Sequence, residues 1–402
     1  MTQSLPWWRE PTRAQWLSFG AAWVGWLLDA FDFTVFLLVM PQIAAEFGVP
    51  LKATAGSVTL TLLMRLFGGL VAGAAADRFG RKLPLMVSIA AFALCDGAVA
   101  FAPTFTWVLI LRTVYGFAMG AEWTSGAALA MESWPPRSRG VASGLLQGSF
   151  AVGYLLAGVA CALVVPRFGW RAIFVVAAAP VLLVLPVRLL VRESAEWKAR
   201  VGAVGESGRS KSQAPALRWA CAVMVFAFAG YYGLTALYPT LLATELGRSM
   251  TEKAWLVAAF NVGMLLGTFV FGLLATARGP VWALRLSAGL TVLALPLYVG
   301  ALPSLLGPGA LLAGLFCAGS SGVTPVLLTA LFPAQVRARA MGFCYHVGAF
   351  GSAVVPLLIT ELASRGLKLS GAMVCVCAAA ELLLVLTLMR APAELRPKTL
   401  KS

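Results

Sequence analysis

Charge is scarce in this sequence. Only 12% of its 402 residues are Asp, Glu, Lys or Arg, and histidine occurs once. Soluble proteins carry about a quarter charged residues, so a soluble globular class is excluded. One histidine, with no base spaced beside a nucleophile, leaves no enzyme site to build, and no cofactor is called for. The seven cysteines are odd in number and all lie in apolar stretches, which excludes a disulfide framework. Cys375 and Cys377 would point to different faces of a helix, so no metal site is expected. No cleavable signal pattern is evident either. The first apolar stretch is too long for one and carries acids at its centre.

Apolar residues are what the chain has instead, at 60% of the total. Apolar runs of about 20 residues recur along its length, each long enough to cross a bilayer as a helix. Membrane strands would be shorter and would alternate polar with apolar. The expected fold is an all-α multi-span membrane protein with twelve transmembrane helices. In the first half these lie near 15–42, 52–76, 83–101, 106–129, 140–164 and 170–190. In the second they lie near 218–243, 254–277, 281–300, 307–330, 338–362 and 369–389.

The formal net charge of +15 could point to nucleic acid, but its distribution does not. Roughly two thirds of the lysines and arginines fall in loops of one side, the positive-inside asymmetry, which puts both termini in the cytoplasm. The partner is a lipid bilayer and no nucleic acid. Trp7, Trp8, Trp16, Trp107, Trp134, Trp170 and Trp282, near span ends, read as interface anchors.

Between the halves runs the least apolar stretch, with Glu193, Ser194, Glu196 and Lys198 followed by a Gly/Ser-rich segment, the pattern of a solvated linker. The expected organisation is a six-helix bundle over 1–191, a cytoplasmic linker over 192–217 and a second six-helix bundle over 218–402. The halves repeat each other. Trp134-Pro135 with Arg139, Ala142 and Gly144 returns as Phe332-Pro333 with Arg337, Ala340 and Gly342, about 198 residues on. In transporters such repeats place a substrate site near the membrane midplane.

The loop after the second span reads Gly73-Ala-Ala-Ala-Asp77-Arg78-Phe79-Gly80-Arg81-Lys82. Gly73 suits close helix packing and Gly80 a tight turn. Asp77 with Arg78 and Arg81 can form a charge network at a helix end, which makes the five a candidate gate; the plainer alternative is an orientation loop. The pattern resembles the signature loop of the major facilitator superfamily, G-x-x-x-D-R-x-G-R-[KR]. At the matching place in the second half, Gly272 to Arg278, the acid is lost.

Charged residues inside spans come next, because burying one at a helix centre costs roughly 2.5–3.5 kcal/mol on insertion scales. Asp29 and Asp32 stand three apart in the first span and share a helix face. With Glu122 they are candidates to load and release protons. Arg65 and Arg112 keep their charge and offer a planar fork to a carboxylate, so they are candidates to hold an anion. Gln147, Tyr231, Asn261, Tyr345 and His346 add candidate hydrogen bonds to substrate. His346 could relay a proton or simply line a wall. Asp96 and Glu381 are intramembrane acids with no assigned role. Plain salt bridging between helices is the bland alternative for the whole set.

Several stretches together resemble the sialate:proton symporter family, which also holds lactate and pyruvate carriers. They are Pro6-Trp7-Trp8-Arg9, Trp23-Val-Gly-Trp26-Leu-Leu-Asp29-Ala-Phe-Asp32, Arg65-Leu-Phe-Gly-Gly69, Glu132-Ser-Trp-Pro135, Gly169-Trp-Arg-Ala172 and Gly342-Phe-Cys-Tyr-His346. The likeness is dense in the first half and sparse in the second. Ala30 replaces the glycine usual between such aspartates, His346 stands where asparagine is usual, and Asp96 is an extra acid. The resemblance implies a monomeric carrier of the bacterial inner membrane that imports a small organic carboxylate with protons by alternating access. An aromatic-acid:proton symporter is the first alternative, and a proton-coupled exporter of amphipathic compounds the second.

Overall fold

The computed structural model describes residues 6–179, 182, 184–202 and 213–395, so residues 203–212 of the expected linker and 396–402 at the chain end lie outside the described set. The first half folds as α1 (Arg13–Glu46), α2 (Leu51–Phe79), α3 (Lys82–Val99), α4 (Phe105–Ser133), α5 (Arg139–Ala177), α6 (Val184–Leu190) and α7 (Ala195–Gly202). The second half opens with α8 (Ala214–Thr235), α9 (Tyr238–Thr244), α10 (Met250–Arg278), α11 (Pro280–Tyr298) and α12 (Leu306–Phe316). It continues with α13 (Thr324–Leu331), α14 (Arg337–Gly351), α15 (Val355–Ser364) and α16 (Leu369–Met389). No strand occurs among the described residues.

Ten segments of the described residues are long and apolar enough to cross a membrane. Three of these are composite, joining α8 to α9, α12 to α13, and α14 to α15. Two more spans complete the twelve-helix fold. α4 is long enough but is made more polar by Arg112 and Glu122. α5 is a double helix in sequence terms, because Gly169 at φ 76° breaks it and starts the sixth span.

Starts and stops are written locally, and in the same way in both halves. At α1 the Thr12 N–H donates to Gln15 Oε1 at 2.7 Å and the Gln15 N–H returns to the Thr12 hydroxyl at 3.4 Å, a reciprocal cap. Ser249 and Glu252 repeat it at α10, at 2.9 and 3.3 Å. α2 stops at Gly80 (φ 97°) and α10 at Gly279 (φ 86°), left-handed positions that favour glycine.

The chain forms two compact units. The first takes residues 1–136, 149–210 and 332–346; the second takes 137–148, 211–331 and 347–402. Each thus includes a short stretch from the other half of the sequence. Lipid gives helices little hydrophobic reason to associate, so close approach of small residues has to do the packing. In the first unit a Cβ at Gly68, Gly116 or Gly120 would collide with the facing backbone of α2 or α4. In the second, Gly263, Gly267 and Gly314 do the same between α10 and α12.

One end of the first unit is tied by Glu46. It accepts from the Trp170 indole at 2.6 Å and from Arg171 Nη2 at 2.7 Å. Arg171 also donates to the carbonyls of Ala100, at 2.8 Å, and Ala102, at 3.1 Å. This corrects part of the tryptophan reading. Trp170 and Trp134 are buried, the latter against Trp16 and Phe19, and are packing residues rather than interface anchors. The linker reading also shifts. Its described beginning is mixed: Arg192 and Lys198 are exposed, whereas Ser194 is fully buried and donates to Glu132, and Glu193 accepts from the Arg81 N–H.

Candidate functional site

Asp29, Asp32, Arg65, Asp96, Arg112 and Glu122 are all buried in the first unit. They come from four helices that meet through the glycine contacts of α2 and α4. The two arginines are held in opposite ways. Arg112, 1% exposed, forms an ion pair with Asp96, the extra acid of α3. Its guanidinium lies over Tyr115 at 4.0 Å and Phe36 at 4.8 Å, so it is enclosed. Among the described residues Arg65 has no carboxylate within ion-pair distance, and its Nε and Nη2 lack a hydrogen-bond partner. It rests between two rings, Trp26 at 5.3 Å and Tyr345 at 5.7 Å from the guanidinium carbon. Such cation–π contacts contribute about 0.5–2 kcal/mol each, too little to replace a counter-ion.

The acids are under-partnered as well. The Tyr115 hydroxyl donates to the Asp29 backbone carbonyl at 3.1 Å and reaches its Oδ1 at only 3.5 Å. Both carboxyl oxygens of Asp32 and of Glu122 lack a hydrogen-bond partner. Glu122 sits against Gly25 of α1, where any Cβ would collide with it. Asp29 lies within electrostatic reach of both Arg65 and Arg112, and Asp32 within reach of Arg112. Buried polar groups are usually satisfied. Unsatisfied donors and acceptors of both signs therefore lie buried within one unit.

An aromatic wall accompanies Arg65. Tyr345 stacks on Trp123 with ring centroids 3.6 Å apart, and Trp26 packs on Phe150 at 4.9 Å. The Trp26 indole N–H has no acceptor. His346 fills the space left by Gly69, where a Cβ would strike its ring. Its Nε2 lies 3.2 Å from the Gly120 carbonyl, so Nε2 is the donor and Nδ1, without a partner, is the free acceptor.

The candidate gate is a network of buried charges. Asp77 accepts from the backbone N–H groups of Ala338, at 3.3 Å, and Arg339, at 3.2 Å, at the start of α14. An acid there complements the positive end of a helix. Arg81 pairs with Asp77 at 3.1 Å and bidentately with Glu132 at 3.0 and 2.8 Å. Its Nη2 also donates to the Ala334 carbonyl at 2.9 Å. Glu132 accepts in addition from Arg337 at 3.2 Å and from the Ser194 hydroxyl, while Arg337 also pairs with Glu196. Glu193 accepts from the N–H groups of Arg81, at 2.9 Å, and Lys82, at 3.0 Å, beside Gly80, where a side chain would clash with it. Gly73 faces the backbone of Arg339. Arg78 is not drawn in: it is exposed, over the ring of Phe79.

Glu132, Arg337, Glu193 and Glu196 were not singled out as gate residues from sequence. For the three glutamates the signal was an acid placed near a span end within reach of the Arg-rich loops. Trp26, Trp123 and Tyr115 were likewise passed over, although large aromatics at mid-span rather than at span ends could have flagged them. The structure does not bring every candidate into this cluster. Gln147, Tyr231 and Asn261 belong to the second unit. Asn261 gives its amide to the Val257 carbonyl of its own helix at 2.9 Å.

The lost acid of the second half has a substitute. The hydroxyl of Thr276 accepts from the Val141 N–H at 3.0 Å, and Gly272 faces the backbone of Gly140 and Gly144. Thr276 and Gly272 occupy the repeat positions of Asp77 and Gly73, and they make the same kind of contact within the second unit.

Comparison with known proteins gives one answer. The family model described as Major Facilitator Superfamily matches residues 22–241 and 220–402. The chain is 28% identical to the cis,cis-muconate transport protein of Acinetobacter baylyi over 87% of its own length and 88% of that protein's. It is 28% identical to the sialic acid transporter NanX of Escherichia coli over 94% and 95%. In fold it is similar to the proton:xylose symporter XylE, with a TM-score of 0.75 at 18% identity, covering 94% of this chain and 95% of that one. With twelve spans in two repeats, a signature loop after the second span and a family match along nearly its whole length, this chain belongs to the major facilitator superfamily and is a multi-pass membrane transporter, not an enzyme.

Proposed function

We propose that this carrier imports a small organic carboxylate together with protons across the bacterial inner membrane, with both termini in the cytoplasm. The six-helix halves 1–191 and 218–402 are the moving bodies, alternating access to a buried site. The observation that carries the reading is Arg65: a buried guanidinium with donors to spare, no carboxylate within ion-pair distance among the described residues, and two rings holding it in place. A substrate carboxylate supplies the missing partner. Arg112 is already engaged by Asp96 and has a supporting part. Asp29, Asp32 and Glu122 take up and release the protons. Relatives named for cis,cis-muconate and sialic acid transport support a carboxylate, since both compounds are carboxylic acids.

The aromatic-acid reading has its own support in Trp26, Trp123 and Tyr345. Flat faces beside the guanidinium suit a planar acid better than a hydroxyl-rich sugar acid, which needs many hydrogen bonds. The substrate is tested with labelled benzoate and labelled N-acetylneuraminate in proteoliposomes. Uptake is expected to rise when the outside is acidified. Arg65→Ala is expected to weaken it by at least about 30-fold, the equivalent of about 2 kcal/mol. Undiminished uptake by Arg65→Ala would refute the anion assignment. Uptake indifferent to the proton gradient would refute symport.

A further inference from the structure

The second unit buries a carboxyl that none of the roles above uses. Glu381 lies midway along α16 and is 3% exposed. Its Oε1 fits the gap at Gly230 of α8, where a Cβ would collide with it. The Cys317 thiol donates to the same oxygen at 3.6 Å. Among the described residues no Lys, Arg or His pairs with it. The titratable groups that reach it are two thiols, with the phenol of Tyr298 beyond them. Cys377, one turn away on α16, turns its thiol to the Gly230 carbonyl at 3.9 Å, and Tyr298 of α11 gives its hydroxyl to the Leu234 carbonyl at 3.0 Å. Two charged groups of the packed helices are engaged elsewhere. Arg285 of α11 donates to the Leu388 carbonyl, and Glu361 of α15 is exposed and pairs with Arg365 at 2.8 Å.

A thiol is a weak donor and offsets little of the cost of a buried anion. A glutamine would fill the same space, accept from Cys317 equally well and carry no such risk. A glutamate at this place therefore has something an amide does not, a proton to give. Glu122 of the first unit is placed in the same way, its carboxyl seated in a glycine gap of the leading helix of its repeat.

We propose that Glu381 is a proton-binding site of the second unit. The carboxyl O–H bond forms with a proton from water on one side of the membrane. It breaks by returning that proton to water on the other, when a change of conformation opens the Gly230 gap. The proposal rests on the reading of this chain as a proton-coupled carrier, but its test needs no substrate. Protons released by the purified full-length protein on raising the pH from about 6 to about 9 are counted with an indicator dye. Glu381→Gln is expected to release one proton per chain fewer. Dicyclohexylcarbodiimide, which adds to protonated carboxyls in apolar surroundings, is expected to label Glu381 at low pH and progressively less as pH rises.

Cys317→Ser covers the case in which the glutamine variant fails to fold. A stronger donor at the same oxygen is expected to shift the infrared carbonyl stretch of the protonated acid. An unchanged proton count, labelling that ignores pH, or an infrared spectrum unmoved by Cys317→Ser would each overturn the proposal. Because all three readouts are taken without substrate, a failure of carboxylate uptake is a separate result.

Discussion

In the first unit six charged side chains, Asp29, Asp32, Arg65, Asp96, Arg112 and Glu122, are buried within the spans, and the gate network adds more at one end. In the second, Glu381 is the one buried charged side chain among the described residues. The two units share a helical plan, matched caps, matched glycine contacts and matched turns. They have diverged in what they bury. The scaffold is repeated and the buried charge is not. The pair formed by Asp77 and Thr276 shows the divergence at one position. Both accept a backbone N–H at the head of a helix, but only the acid carries charge into a wider network.

That contrast can be broken by mutation, with effects that should fall in a definite order. Glu132→Gln leaves Arg81 and Arg337 buried without their shared acid, and is expected to cost about 3–5 kcal/mol. A large drop in detergent melting temperature would register it. Asp77→Ala removes a charged acceptor from two N–H groups and from Arg81, with an expected cost of about 1.5–3 kcal/mol on the same assay. Gly120→Ala and Gly314→Ala each force a methyl into facing backbone. Each should cost about 1–3 kcal/mol, and the two should agree closely if the units pack alike. Thr276→Val deletes one neutral hydrogen bond, worth about 1 kcal/mol. If it matched Asp77→Ala in the melting assay, the idea that charge separates the two positions would fail.

Much of the architecture was legible because it is written in one dimension. Run length gave the twelve spans, and spacing gave the loop from Gly73 to Arg81. The partners of the charges within the spans were not legible, because a pairing such as Arg112 with Asp96 crosses helices. Arg65 and Arg112 look alike in sequence, both arginines in apolar surroundings. Only the approach of α3 to α4 gives Arg112 to Asp96 and leaves Arg65 to two rings from α1 and α14. Thr276 was read as a loss because its chemistry differs from that of aspartate, yet its hydroxyl reaches the same kind of donor. Arg78 failed in the opposite sense. It fits the motif letter for letter, but its place on the helix turns it outward.

The knot around Glu46 carries a mechanical consequence. One guanidinium, that of Arg171, bridges the acid ending α1 and the carbonyls just past α3, with its own backbone at the head of the sixth span. Three spans cannot then slide past one another without breaking several bonds at once. Spin labels on the ends of those spans should hold a constant separation through a full turnover, because this corner of the molecule behaves as a rigid strut.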